Sequence, residues 1–176
     1  MHSSRPAPTE YAPYFSRYIN LVAEADFLAV LARQPAEYRA LLGALSDEQA
    51  GFRYAPGKWT VREVLGHVID AERVFGYRAL CIARGETVSL PSFDENAYAA
   101  KAGHDGYSLD ELLEEFAYVR RAHIALFEHF AQAAWERTGS VNQNQISVRG
   151  LAYIMTGHVQ HHAEILKERY AAALGG

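Results

Sequence analysis

Apolar residues recur at helical spacing in four stretches of the chain. The first runs from about Asp26 to Leu45, where Leu28, Leu31, Tyr38, Leu41, Leu42 and Leu45 share one face. Pro35 sits inside it, and a ring that removes an N–H and crowds the preceding turn predicts a kink or a break there. The second stretch, Thr60 to Gly85, carries the best boundaries: Thr60 with Glu63 reads as a reciprocal cap, Pro56 and Gly57 stand upstream as turn formers, and Gly85 is a stop. The third, about Ser108 to Ala134, opens on Ser108 and Glu111, a second capping box. The fourth covers about Ser147 to Leu174. The lead-in "YFSRYINLVAEAD" is apolar and is expected to pack as extended chain or short helix. No alternating stretch is long enough to predict a strand with conviction.

Four helices in 176 residues define an all-α fold, an antiparallel four-helix bundle around one core. Residues 14–176 are read as this single domain, and "MHSSRPAPTEYAP" (residues 1–13) as a disordered tail without the apolar core of a signal peptide. Between the second and third helices lie more than twenty residues, "ETVSLPSFDENAYAAKAGHDGY", and loops of that length are often functional.

Composition then narrows the function. The net charge is −4 with acids and bases interspersed, which argues against a nucleic-acid surface. No apolar run spans a membrane, so a cytoplasmic protein acting on a small molecule is expected. The single cysteine, Cys81, excludes an internal disulfide and a cysteine-based zinc cluster, and its apolar neighbours make it a small core residue.

Chemistry concentrates in "GHVQHHAEIL", Gly157 to Leu166. His158 and His162 fall inside the apolar stripe of the fourth helix, four residues apart and so neighbours, whereas His161 falls off it. Such a pair is a ready bidentate clamp for a metal, and equally a pair of core histidines bonded to carbonyls or carboxylates. His67, on the shoulder of the second helix's apolar arc, tips the balance. Two imidazoles from one helix and one from another form a set of three that leaves coordination positions open. Asp70, one turn beyond His67, is a candidate partner for its ring N–H. Arg78 is a candidate to bind an anionic substrate or to pair with a buried acid. Asp94 and Glu95 lie where the long loop would cover the site. His104 reads as an exposed turn residue, and His123 and His129 have no matching partner.

The segments "APGKWTVREVLGHVIDAERVFGYRALCIARGE" and "SVRGLAYIMTGHVQHHAEILKERY", with "YINLVAEADFLAVL" and "LPSFDENAYA", resemble the DinB-like superfamily of four-helix metalloproteins. The resemblance covers almost everything from Tyr18 to Tyr170. It implies an up-down-down-up bundle with a long crossover between the second and third helices, a homodimer, and a divalent metal, zinc or nickel, on His67, His158 and His162. Trp59, Thr60 and Glu63 match the usual start of the ligand-bearing helix. Related proteins use low-molecular-weight thiols, bacillithiol or mycothiol, in S-transfer, and one isomerises maleylpyruvate with mycothiol. The resemblance therefore implies a thiol S-transferase. A metal-dependent hydrolase and a non-catalytic, stress-associated metal-binding bundle are the alternatives.

Overall fold

A computed structural model describes residues 4–23 and 26–175. Its bundle consists of α1 (Phe27–Leu42), α2 (Val61–Ala83), α4 (Leu109–Glu128) and α5 (Val148–Arg169), with a shorter α3 (Glu95–Ala102) in the crossover. Side-chain pairs give the directions. Glu72 and Gly76 of α2 meet Arg120 and His123 of α4, so these two helices run parallel. Gln34 and Tyr38 of α1 donate to the Thr156 and Val159 carbonyls, so α1 and α5 also run parallel. The bundle is up-down-down-up. The parallel α2–α4 pair is what requires a long crossover.

Local chemistry explains the helix starts. Thr60 accepts from the Glu63 N–H while the Glu63 carboxylate takes the Thr60 N–H at 2.8 Å, and Ser108 with Glu111 repeats the arrangement on α4. α4 ends at Glu128, short of Ala134, and a 3₁₀ turn at Gln132–Ala134 follows.

Three local expectations are corrected. Pro35 does not divide α1, which is one continuous helix. The carbonyl that the proline leaves without its usual donor is that of Leu31, and the buried Arg120 points Nη1 at it from 3.5 Å. A hairpin, missed because its strands are only four residues each, pairs β1 (Thr138–Val141) with antiparallel β2 (Asn144–Ser147). Its turn residues Asn142 and Gln143 both take positive φ, 47° and 65°, which suits the twist of a two-residue hairpin loop. Finally, the crossover is not structureless. Asp94 caps α3, and a turn at His104–Gly106 is pinned to the start of α2, where Asp105 accepts from Thr60 Oγ1 at 2.6 Å and pairs with Arg53 at 3.0 Å.

Within the stretch read as a tail, residues 4–13 are tied to the bundle, and residues 1–3 lie outside the described residues. Arg5 donates to the Ile19 and Val22 carbonyls, and Glu10 takes two bonds of 2.6 Å from Arg149. Composition hides such ties because each depends on a distant partner. Burial alone would raise the Glu10 pKa, but the Arg149 hydrogen bonds outweigh it and hold the group at about 2, below its ordinary 4.5. Its stabilisation is therefore present above about pH 4.5 and disappears as pH falls through about 2. Solvent screening near the surface limits the pair to about 1 kcal/mol. Glu10→Gln is expected to lower the melting temperature slightly at pH 7 and to match the wild type near pH 2, as followed by circular dichroism.

The core has two apolar clusters. One gathers Phe27, Phe127, Trp135 and Tyr153. The other gathers Tyr38, Val64, Leu112, Phe116 and Leu166. α5 is buried almost all round from Val148 to Val159 because the N-terminal segment and the hairpin cover what would be its outer face.

Candidate metal centre

The structure brings His67, His158 and His162 to one point. His158 Nε2 lies 3.1 Å from His67 Nε2 and 3.2 Å from His162 Nε2, and the ligand atoms of all three fall within 4.8 Å of one another. All three side chains are buried. Metal–nitrogen bonds of ordinary length place neighbouring donors about 3.4 Å apart around a tetrahedral ion and about 3.0 Å apart on an octahedral face. The two separations from His158 lie between these values.

Electrostatics favours the same interpretation. Burial lowers the pKa of His67 to about 4, with repulsion from His104 adding to it. Burial also holds His158 and His162 well below the ordinary range, with the neighbouring imidazoles contributing. Three neutral rings thus aim lone pairs or N–H groups at a common centre, where at most a few can satisfy one another. His162 Nδ1, on the far side of its ring, is buried with no hydrogen-bond partner. A neutral imidazole is the form a metal ligand must take.

The rings are held by aromatic neighbours. Trp59 lies against His67 with centroids 4.8 Å apart, and Tyr18 and Phe75 meet His158 edge-on at 5.3 and 5.6 Å. Tyr18 can come this close because residue 157 is glycine. A Cβ there would stand 2.0 Å from the Tyr18 carbonyl oxygen. His161 stays lateral and half-buried, packed on Tyr18.

A cavity of about 230 Å³ opens on His67 and His158. The N-terminal segment contributes Phe15 and Tyr18, α2 contributes Phe75 and Arg78, the crossover Phe93 and Glu95, and the hairpin Ile146. Asp94 is the α3 cap rather than a wall of the cavity.

Asp70 and Arg78 each lack one of the partners the sequence offered them. No hydrogen bond joins Asp70 to His67. Three residues further along the helix, Asp70 is turned toward His104 and Arg73, whose charges oppose the rise in pKa that burial gives it. Arg78 is buried but has no acid partner among the described residues. Its Nη2 donates to the Pro91 carbonyl at 2.8 Å. His104 is also corrected: it is buried, not exposed, because its turn docks on α2 and its ring occupies the space over Gly66. His123 is beside Glu72, and His129 is exposed. Trp59's stacking on His67, and the roles of Phe93 and Tyr18 in the cavity, had no signal in spacing. Gly157, which the sequence reading did not use, is the signal of the close approach.

The chain belongs to the DinB superfamily, whose family model matches residues 31–166. A protein of Geobacillus thermodenitrificans named "Putative metal-dependent hydrolase" is 27% identical over 151 residues, 82% of this chain and 83% of its own length. A similarly named protein of Geobacillus kaustophilus is 24% identical over 78% of each chain. Among solved structures, YfiT from Bacillus subtilis, described as a probable metal-dependent hydrolase with an unusual four-helix bundle topology, superimposes with a TM-score of 0.76. It is 19% identical, and the match covers 98% of this chain and 94% of that one. The mycothiol-dependent maleylpyruvate isomerase gives a TM-score of 0.64 at 15% identity, covering 79% of this chain and 58% of that one. At these identities the two structures speak for the shared fold.

Proposed function

We propose that this protein is a metal-dependent enzyme acting on a small molecule, with one divalent cation, zinc or nickel, held by His67, His158 and His162. The observation that carries this reading is the convergence of three buried, neutral imidazoles, with His158 Nε2 3.1 and 3.2 Å from the other two, and with His67 and His158 on the wall of a cavity. A cation there would acidify a bound nucleophile, either a thiol or water.

The chain's own groups do the rest. Trp59, Phe75 and Tyr18 fix the ring planes, and burial keeps the imidazoles unprotonated. Phe15, Phe75 and Phe93 give the cavity apolar walls. Tyr18 accepts from Arg17 Nη2 at 2.8 Å, which leaves its own O–H to donate to a substrate.

Thiol S-transfer is the leading version: a low-molecular-weight thiol gives up its proton, its sulfur bonds an electrophilic carbon, and the leaving group departs with the electron pair. The resemblance to thiol-using bundles supports it. The names of the Geobacillus relatives favour hydrolysis as the second version. A homodimer belongs to the same reading, and the exposed Tyr77 and Leu80 of α2 and Tyr118 of α4 offer surface for it.

The test is elemental analysis of the purified protein together with turnover before and after chelation. Close to one divalent ion per chain is expected. Conjugation of bacillithiol or mycothiol to monochlorobimane should stop on chelation and return with the ion. Thiol conjugation that is unchanged by chelation would rule out the transferase version. Ester hydrolysis that alone follows the metal would establish the second version.

A further inference from the structure

We infer that Arg78 is the anion-binding group of this cavity, and that the substrate is an elongated molecule with an anionic end on Arg78 and its reacting end at the histidines. The inference rests on the metal-enzyme reading and deepens it by naming a substrate class.

The other well-buried arginines all face carboxylates. Arg120 meets Glu72, and Arg62 meets Asp47 at 2.6 Å. Arg78 is as buried as Arg62, yet among the described residues its hydrogen-bond and ring partners are the Pro91 carbonyl and the face of Phe93, 5.7 Å from its guanidinium carbon, with the Tyr98 phenol as a further electrostatic neighbour. A guanidinium carries five N–H donors, and burying one without a counter-ion is costly. None of its nitrogens is among the buried atoms that lack a partner, so the donors not used on Pro91 remain accessible where the side chain lines the cavity. A group left charged, half-satisfied and facing a cavity suits an incoming anion. Bidentate pairing with a carboxylate is the geometry its planar fork favours.

Position along α2 sets the shape of the molecule. His67 and Arg78 are eleven residues apart, close to three full turns, so they share a face about 16 Å apart along the axis. Arginine side chains on a helix lean toward its N-terminus, here toward His67, which shortens the gap. Phe15, Phe75 and Leu151 line the cavity too and fit an apolar middle. Glu95 is the one carboxylate of the lining. It is exposed on the first turn of α3, where water screens it.

The experiment compares hydrocinnamate with the neutral hydrocinnamyl alcohol by calorimetry, using protein as purified with its metal content measured. The acid is expected to bind at least about tenfold more tightly. Arg78→Gln should remove that preference and Arg78→Lys should keep part of it, each with an unchanged circular dichroism spectrum. Equal affinities, binding of neither compound, or a preference that survives Arg78→Gln would overturn the assignment. If Arg78→Gln does not fold, the side-chain N–H resonances of Arg78 in the wild type decide: they shift on adding the acid and not the alcohol, or the assignment fails. Metal-free protein that still shows the Arg78-dependent preference would sink the metal reading and leave the anion site standing. Metal-loaded protein without the preference would do the reverse.

Discussion

His158→Leu is expected to lower affinity for a divalent ion by more than about a hundredfold, because loss of even an outer hydrogen-bond partner of a ligand costs 10–100-fold. His158 is the hub of the cluster, with its Nε2 within 3.2 Å of both other rings, so no pair of donors with the observed spacing survives its removal. In the wild type, saturating metal should stabilise the fold by about 4 kcal/mol at a free concentration a thousandfold above Kd. The variant should show no such rise. Without metal, the variant should be as stable as the wild type or more so, since an apolar side chain replaces a buried imidazole among Tyr18 and Phe75. Melting curves with and without chelator, read beside elemental analysis, separate the two effects. A variant that keeps both its metal and its metal-dependent melting shift would reduce the cluster to packing.

The second large effect lies in the centre of the bundle. Arg120→Met should destabilise the protein by about 3–5 kcal/mol in urea at pH 7. Both Arg120 and Glu72 are inaccessible to solvent. Nη2 donates to Oε2 at 2.7 Å, and Nε stands 2.7 Å from Oε1, off the line of a hydrogen bond. Nη1 meanwhile serves Gln34 at 2.7 Å and the Leu31 carbonyl beside Pro35. Methionine would strand the Glu72 carboxylate, with His123 at 3.3 Å as its remaining partner. Pairing Arg120→Met with Glu72→Met should recover much of the loss. A single variant of wild-type stability would show that the ion pair does not hold the helices in place.

What could be read from the sequence depended on whether the determinant was local. Thr60 with Glu63 and Ser108 with Glu111 lie three residues apart, and both capped helices begin where they place them. His158 and His162 are four apart, and the same periodicity put His67 on a facing helix, so the convergence of the three rings was legible. Long-range compensation was not. Nothing near Pro35 announces that Arg120, far along the chain, will stand beside the carbonyl the proline frees. His104 looked like a loop residue because its burial depends on the bare backbone of Gly66 in another element. The hairpin was hidden by its brevity, and the isolation of Arg78 from any acid is a property of three dimensions alone.

The close seat of Tyr18 over Gly157 has a practical side. Residues before the first long helix form one side of the cavity and bury Ile19 and Val22 in the core, so shortening the chain at its front would strip α5 of that cover and open His158 to bulk water. A preparation trimmed for easier crystallisation would then lose stability together with the seat of Tyr18 on His158, and a lowered melting temperature would give the warning.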